Sequence, residues 1–147
     1  MEKLIKIIRK PYEEPYHLNL IFKASNGESS GQLEFYDNAN QLKELADILE
    51  DFPFKSTKAF LWELGSEKPK DRFAFHFKCE FSLIKQSSEC VIGIRLNNNK
   101  AGIDKSSSEF SIKCYPAELN KLGNLFREFS KLEKETLTWD GIDGYVE

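Results

Sequence analysis

"QLKELADILEDF", which runs from Gln41 to Phe52, decides the fold that is predicted for this chain. Its apolar residues are spaced as on one face of an α-helix, at Leu42, Leu45, Ala46, Leu49 and Phe52. The segment "ELNKLGNLFREF", from Glu118 to Phe129, carries the same stripe 77 residues later, at Leu119, Leu122, Gly123, Phe126 and Phe129. Asn38 or Asn40 is expected to cap the first helix, and Pro53 to end it. The two segments predict two amphipathic helices with equivalent buried stripes.

The correspondence extends beyond the two helices. At the same offset of 77 residues the paired positions are Leu33/Phe110, Phe35/Ile112, Phe60/Leu137 and Trp62/Trp139. Further upstream, Leu18–Ala24 matches Cys90–Leu96 if the second hairpin loop is longer by about four residues, and Lys3–Arg9 then matches Phe75–Phe81. Because both tryptophans of the chain occupy equivalent positions, an internal duplication is favoured over a chance alignment of amphipathic patterns.

Each half has the predicted element order β-β-β-α-β. We expect a single domain over residues 1–147, made of two structural repeats at about 1–66 and 70–145 and joined by the polar connector Gly65–Asp71. Alternating apolar residues, clearest over Arg72–Ile84, are typical of half-buried antiparallel strands. The predicted fold class is α+β, with one or two antiparallel sheets, two helices on one face and pseudo-twofold symmetry.

Small residues lie at equivalent positions on the two buried helical stripes, Ala46 in the first and Gly123 in the second. A glycine costs a helix interior roughly 1 kcal/mol relative to alanine, so we expect a close backbone approach at this point. Two arrangements would explain it: the helices cross near these residues, or each small residue lets its helix sit tightly on the sheet.

Composition limits the classes of function. The formal net charge is −3 and the isoelectric point about 5.6, so a general phosphate-binding surface is not expected, and no nucleic acid is predicted as a partner. The N-terminal charges leave no apolar stretch of signal-peptide length, and no run approaches the roughly 20 apolar residues of a membrane helix. We therefore expect a cytoplasmic protein that does not bind membranes.

No reactive constellation emerges from the residues that usually carry chemistry. His17 and His76 have no sequence-close ligands at metal-binding spacing, so each is interpreted as an exposed structural histidine. The cysteines fall on apolar strand faces and are expected in the core: Cys79, Cys90 and Cys114. Phosphate-binding glycine motifs are missing, and "WDGIDG" at Trp139–Gly144 is better explained as a turn than as a calcium loop. We predict no catalytic residues, no metal and no cofactor.

Acidic residues supply the candidate partner-binding surface. The outward face of the first helix and the C-terminal segment contribute Glu44, Asp47, Glu50, Asp51, Asp140 and Asp143. The second helix has a mixed face, so the acidity is specific to the first half. A solvated helix face explains this pattern, and so does a surface that attracts a basic protein partner.

The segment "ASNGESSGQLEFYDNANQLKELADILEDFP", together with "FLWELGSE", resembles a family of small uncharacterised bacterial proteins. The shared features are an SNG turn, an EFY strand, a Leu-rich helix closing on FP, and an ELGSE stretch. The resemblance covers roughly the first half of the chain and implies bacterial origin without any known catalysis. By analogy, some acidic α+β proteins of this size are immunity proteins against toxins.

Three functions follow as expectations. The first is a non-catalytic protein-binding module, such as an immunity-type inhibitor that covers the basic active site of a toxin with its acidic surface. The second is a small-ligand or regulatory binding domain that uses a cleft between the repeats. The third is an enzyme, which a cleft that gathers His76 or His17 with carboxylates would favour. The oligomeric state stays open.

Overall fold

A computed structural model describes residues 2–53 and 59–147. Within them the chain is an α+β protein with two α-helices and two antiparallel sheets, as its fold class predicted. The elements are β1 Lys3–Glu13, β2 His17–Asn26, β3 Ser30–Asp37, α1 Ala39–Glu50, β4 Ala59–Gly65, β5 His76–Leu83, β6 Cys90–Asn97, β7 Ser107–Cys114, α2 Pro116–Phe129, β8 Thr136–Trp139 and β9 Gly144–Val146.

The two halves exchange the strand that follows each helix. The first sheet has the order β3-β2-β1-β8-β9, and the second has the order β4-β5-β6-β7. Strand β4 therefore completes the sheet of the second half, and β8 joins the sheet of the first. Because each sheet contains strands from both halves, neither half forms its sheet from its own strands alone.

Strand registers follow the predicted correspondence within each half. Leu20 pairs with Phe35 in the first sheet, and Ile92 pairs with Ile112 in the second. These pairs combine the offset of 77 residues on one strand with an offset of 72 on the other, so the second hairpin loop is longer by five residues rather than four. The matching registers agree with two structural repeats; their origin in a duplication stays a prediction.

The exchanged strands depart from this symmetry. Trp62 pairs with Cys79, whereas Trp139 pairs with Ile5. Position 79 corresponds to Ile7 at the offset of 72 residues, so β8 is displaced along its neighbour by two residues relative to β4. Both indoles are buried, but the Trp62 ring donates to the Asp37 carboxylate and the Trp139 ring donates to a helix carbonyl.

One aromatic cluster joins both sheets and α2 in the core. Phe35 stacks on Phe77 with the ring centroids 4.3 Å apart, and Trp62 meets Phe77 edge-on at 4.6 Å. Phe126 of α2 contacts the other side of Trp62 at 5.8 Å. Aromatic pairs in these geometries add to the stabilisation from burial alone. The sheets and α2 therefore share a single core, as expected for halves that cannot bury their aromatic faces alone.

The helices pack directly against each other at Gly123. A Cβ atom at Gly123 would lie 2.5 Å from the backbone nitrogen of Glu50 and 2.8 Å from the carbonyl carbon of Leu49. Asn120, one turn earlier, donates to the carbonyl oxygens of Leu49 and Phe52 at 2.8 and 2.9 Å. Of the two explanations for the small residues, the structure thus supports the crossing of the helices.

Several details differ from the sequence-based prediction. Strand β5 begins at His76 rather than Arg72, because Arg72 adopts a left-handed conformation with φ of 55° after a short 3₁₀ turn. Phe73, expected on the buried face, is 51% exposed. Strand β9 was not predicted. Lys58, predicted to begin β4, lies outside the described residues.

Other details agree. Asn38 caps α1, since its Oδ1 accepts from the backbone of Gln41 at 2.9 Å. Pro116 occupies the first turn of α2. Over the described residues, neither helix has the length and hydropathy that a transmembrane helix requires.

Candidate functional site

The acidic face, defined as Glu44, Asp47, Glu50 and Asp51, lies along the side of α1 opposite its buried leucines. Arg127 of α2 forms ion pairs with Asp47 and with Glu50, the latter at 2.9 Å. The hydrogen bond to Glu50, followed by that to Asp47, raises the pKa of Arg127 above its usual value. One guanidinium thus holds two of the four carboxylates across the helix pair.

The other two carboxylates of the acidic face are free for a partner. Glu44 and Asp51 are exposed, and neither forms an ion pair with any residue that the structure describes. Lys43 is the nearby base on α1 itself. Four carboxylates against two cations leave the surface negative, with its charge concentrated on Glu44 and Asp51.

The acidic turn, defined as Asp140 and Asp143, connects β8 to β9. Asp140 Oδ1 accepts hydrogen bonds from the backbones of Ile142 and Asp143 at 2.9 and 2.8 Å. Asp143 accepts from the Gly144 backbone at 2.7 Å and pairs with Lys121 at 3.3 Å. Backbone hydrogen bonds are the main reason why the pKa values of both carboxyls lie below normal. The interpretation of this segment as a turn is confirmed.

The structure does not bring the six predicted carboxylates together on one surface. Helix α2 packs against α1 on one side and against β8 and β9 on another. Its Arg127 reaches the acidic face, while its Lys121 reaches the acidic turn. The prediction therefore resolves into two separate clusters, of which only the acidic face carries carboxylates without a structural role in a turn.

A charge network on the outer face of the second sheet was missed by sequence reasoning. His76 Nδ1 lies 2.5 Å from Glu67, and His76 Nε2 lies 2.7 Å from Glu63. Arg95 binds Glu67 through two nitrogens, at 2.5 and 2.7 Å, and also pairs with Glu109 at 3.2 Å. The His76 side chain is only 13% exposed, so its interpretation as an exposed histidine was wrong.

Arg95 dominates the electrostatics of this network. Its hydrogen bonds lower the pKa of Glu67 to about 2, with a smaller contribution in the same direction from His76. The bidentate contact is the geometry in which an arginine binds a carboxylate most strongly. The network therefore anchors the connector that carries Glu67 to strands β5 and β6.

The signal for this network lay in strand register. Glu63, His76 and Arg95 each occupy an outward position on a different strand, and only the pairing places them side by side. Glu67 belongs to a connector, where no periodicity constrains direction. A sequence offers neither piece of information.

Metal and thiol chemistry find no support in the described part of the chain. Within residues 2–53 and 59–147, no group of three or more His, Cys, Asp or Glu side chains is arranged to hold a metal ion. The three cysteines are buried, as predicted. Burial raises the pKa of each thiol, that of Cys114 to about 12, so all are protonated at neutral pH.

A cleft between the two halves has a volume of about 710 Å³. The first half contributes Lys3, Lys23 and Gln32 to its lining, and the second half contributes Ser106 and Ser108. The halves approach closely beside it: a Cβ atom on Gly31 would lie 2.5 Å from Ser108 Oγ. The cleft is polar and is placed between the repeats, where a ligand-binding site was expected in the second hypothesis.

Comparisons with known proteins identify no family. No protein-family model matches the chain, and no curated protein matches it. Among solved structures, one described as the structure of the plant transcriptional regulator PBF-2 is similar with a TM-score of 0.49 and 9% sequence identity, covering 88% of this chain and 76% of that one. A similarity this distant carries no information about what the chain binds.

Proposed function

We propose that the chain is a non-catalytic, cytoplasmic bacterial protein-binding module whose acidic face docks onto a basic surface of its partner. An immunity-type inhibitor, which covers the active site of a toxin, is the kind of protein that this surface would serve. The observation that carries the proposal is the position of Glu44 and Asp51, exposed and without ion pairs to described residues on a helix whose other side is fixed in the core.

Arg127 makes this surface more than a solvated helix face. It fixes Asp47 and Glu50 from the neighbouring helix, so two of the four carboxylates are already ordered before binding. Ordered charges lose less side-chain entropy when they meet a partner. Complementary charge also steers the encounter and raises the association rate, an effect that weakens with salt.

The engagement of His76 supports a binding role over catalysis. Both ring nitrogens already contact carboxylates, and Glu67 is also bound by Arg95. A general base needs a nitrogen or oxygen within reach of the proton that it removes. In this network neither ring nitrogen is left for a substrate, so the cluster of histidine and carboxylates acts as an anchor for the connector.

Affinity capture from the native cell tests the proposal. We expect the wild-type chain to retain one basic protein, encoded next to this gene if it is a toxin, and the E44K/D51K variant to lose it. The two substituted carboxylates form no described ion pairs, so the reversal leaves internal contacts intact. Titration of the re-expressed partner should show an affinity that falls as salt rises.

The matched control is E128K/E133K, which makes the same charge change at exposed positions near the end of α2. The control variant should bind as the wild type does. Equal binding by the wild type and E44K/D51K would contradict the proposal, and equal loss in both variants would show that only net charge matters.

The cleft supports a second candidate, a small-ligand or regulatory binding domain. Its volume of about 710 Å³ lies within the range of small-molecule sites, and both halves contribute polar groups. A metabolite screen by thermal shift tests it, with S106W to fill the cleft and S88W, on the exposed β5–β6 turn, as the control. A metabolite that stabilises the wild type and S88W but not S106W would support this candidate; no stabilising metabolite would count against it.

A further inference from the structure

A basic cavity lies at the end of the second sheet, where the connector from β4 to β5 meets the loop from β6 to β7. Its volume is about 340 Å³, and it is called the connector cavity below. Four cationic side chains line it: Lys68, Arg72, Lys100 and Lys105. None of the four forms an ion pair with any residue in the described ranges. In a chain with a net charge of −3, this concentration of unpaired positive charge needs a cause.

The carboxylate in the lining does not neutralise these cations. Glu67 is the only acidic residue among the described residues around the connector cavity. Both of its oxygens are bound by Arg95, and one of them also contacts His76. The pKa of Glu67 is accordingly low, about 2, with the Arg95 hydrogen bond as the main cause. Its charge is directed to Arg95, so the four lining cations share no internal counterion.

Asn99 ties the two loops together around the cavity. Its side-chain nitrogen donates to the carbonyl oxygens of Ser66 and Phe73 at 2.7 and 3.1 Å. Its backbone nitrogen donates to Asn97 Oδ1 at 2.8 Å, which fixes the loop to the end of β6. These contacts hold the loop backbones that carry the four cations around one space, which lowers the cost of ordering them on binding.

The fold does not require the loop that supplies two of the cations. In the first half, residues 27–29 are sufficient to connect β2 to β3. In the second half, residues 98–106 make the equivalent connection, and Lys100 and Lys105 belong to it. A loop longer than its hairpin needs is a common place for binding residues, because a rigid scaffold positions it.

We propose that the connector cavity binds a small molecule with at least two negative charges, of the class of phosphate esters. Lysine and arginine side chains are the usual protein ligands of phosphate groups. The volume is at the lower end of the range for small-molecule sites. Phe73, 51% exposed, forms an apolar wall of the cavity against which the organic part of the ligand packs. The site is independent of the acidic face of α1.

Calorimetric titration at physiological ionic strength tests the proposal with two probes, pyrophosphate and a nucleoside diphosphate. We expect saturable binding of at least one probe to the full-length chain, and a loss of at least tenfold in affinity in K100E/K105E. A nucleoside diphosphate that binds more tightly than pyrophosphate, with the difference removed in F73A, would identify an ester with a planar organic group. Equal affinities would identify the phosphate groups alone as the recognised part.

The matched control is K85E/K131E, which changes the net charge equally at exposed lysines away from the cavity. It should retain the wild-type affinity, and circular dichroism should show that both variants are folded. The proposal is overturned if neither probe binds the wild type saturably, if K100E/K105E binds as well as the wild type, or if the control weakens binding as much as K100E/K105E does.

Discussion

Substitution of Asp37 by asparagine should remove a pH dependence that is built into the core. Asp37 is 7% exposed; one of its oxygens accepts from the Trp62 ring at 2.9 Å and the other accepts from the Asn38 backbone at 2.8 Å. Burial outweighs these hydrogen bonds and raises the pKa from 3.8 to about 6. Between these two values the folded state holds a proton that the unfolded state has released.

The sign of the effect follows from proton linkage. Where the folded state binds more protons, the free energy of unfolding falls as pH rises. Asp37 therefore contributes most stability below pH 3.8, and that contribution is lost by the time the pH has passed about 6. A difference of about two pKa units corresponds to about 3 kcal/mol. Asparagine cannot titrate, but its amide leaves one of the two donors without an acceptor, which costs about 1–3 kcal/mol.

Urea unfolding of the wild type and D37N between pH 4 and pH 7.5 measures this difference. At pH 4 the variant should be the less stable protein. As pH rises, the gap should shift in favour of D37N by about 2–3 kcal/mol, because only the wild type bears the cost of a buried charge. D104N, which removes an exposed carboxyl, serves as the control. Parallel curves for the wild type and D37N would refute the assignment of a raised pKa to Asp37.

Three further results are expected from urea unfolding at pH 7. G123A should lower the free energy of unfolding by about 1–2 kcal/mol, because the clash of its Cβ with the α1 backbone outweighs the gain of about 1 kcal/mol in helix propensity; a more stable variant would contradict the helix crossing. Truncation before Gly144 removes β9 and uncovers Leu137, so a loss of about 2–3 kcal/mol is expected, and an unchanged midpoint would show that β9 covers nothing. E67Q should cost about 1 kcal/mol, since Glu67 is 32% exposed and solvent screens its ion pairs, and should leave the Asp37-dependent pH profile unchanged.

Local periodicity was sufficient to predict the helices and most strands. The stripes beginning at Leu42 and Leu119 are buried at every predicted position, because a helix with one apolar face has only one way to bury it. The offset between equivalent strands also held. The exchange of β4 and β8 was not predicted, since strand partners depend on tertiary packing rather than on the alternation within either strand.

The candidate site was predicted less completely, for physical reasons. The acidic face lies where helical spacing placed it, but Arg127, 80 residues from Asp47, joins it only through the helix crossing. The connector cavity gathers Lys68 and Lys105 from separate loops, and loop conformation has no periodic signature. Charges that converge through tertiary structure are invisible to spacing arguments.

Hydrogen–deuterium exchange of the chain, alone and in complex with its captured partner, tests the role of the acidic face most directly. The account predicts that binding slows exchange in Ala39–Glu50 and in the part of α2 around Arg127, while residues 97–106 exchange as before. Slowed exchange confined to the cleft, at residues 23–32 and 106–108, with no change in α1, would contradict it.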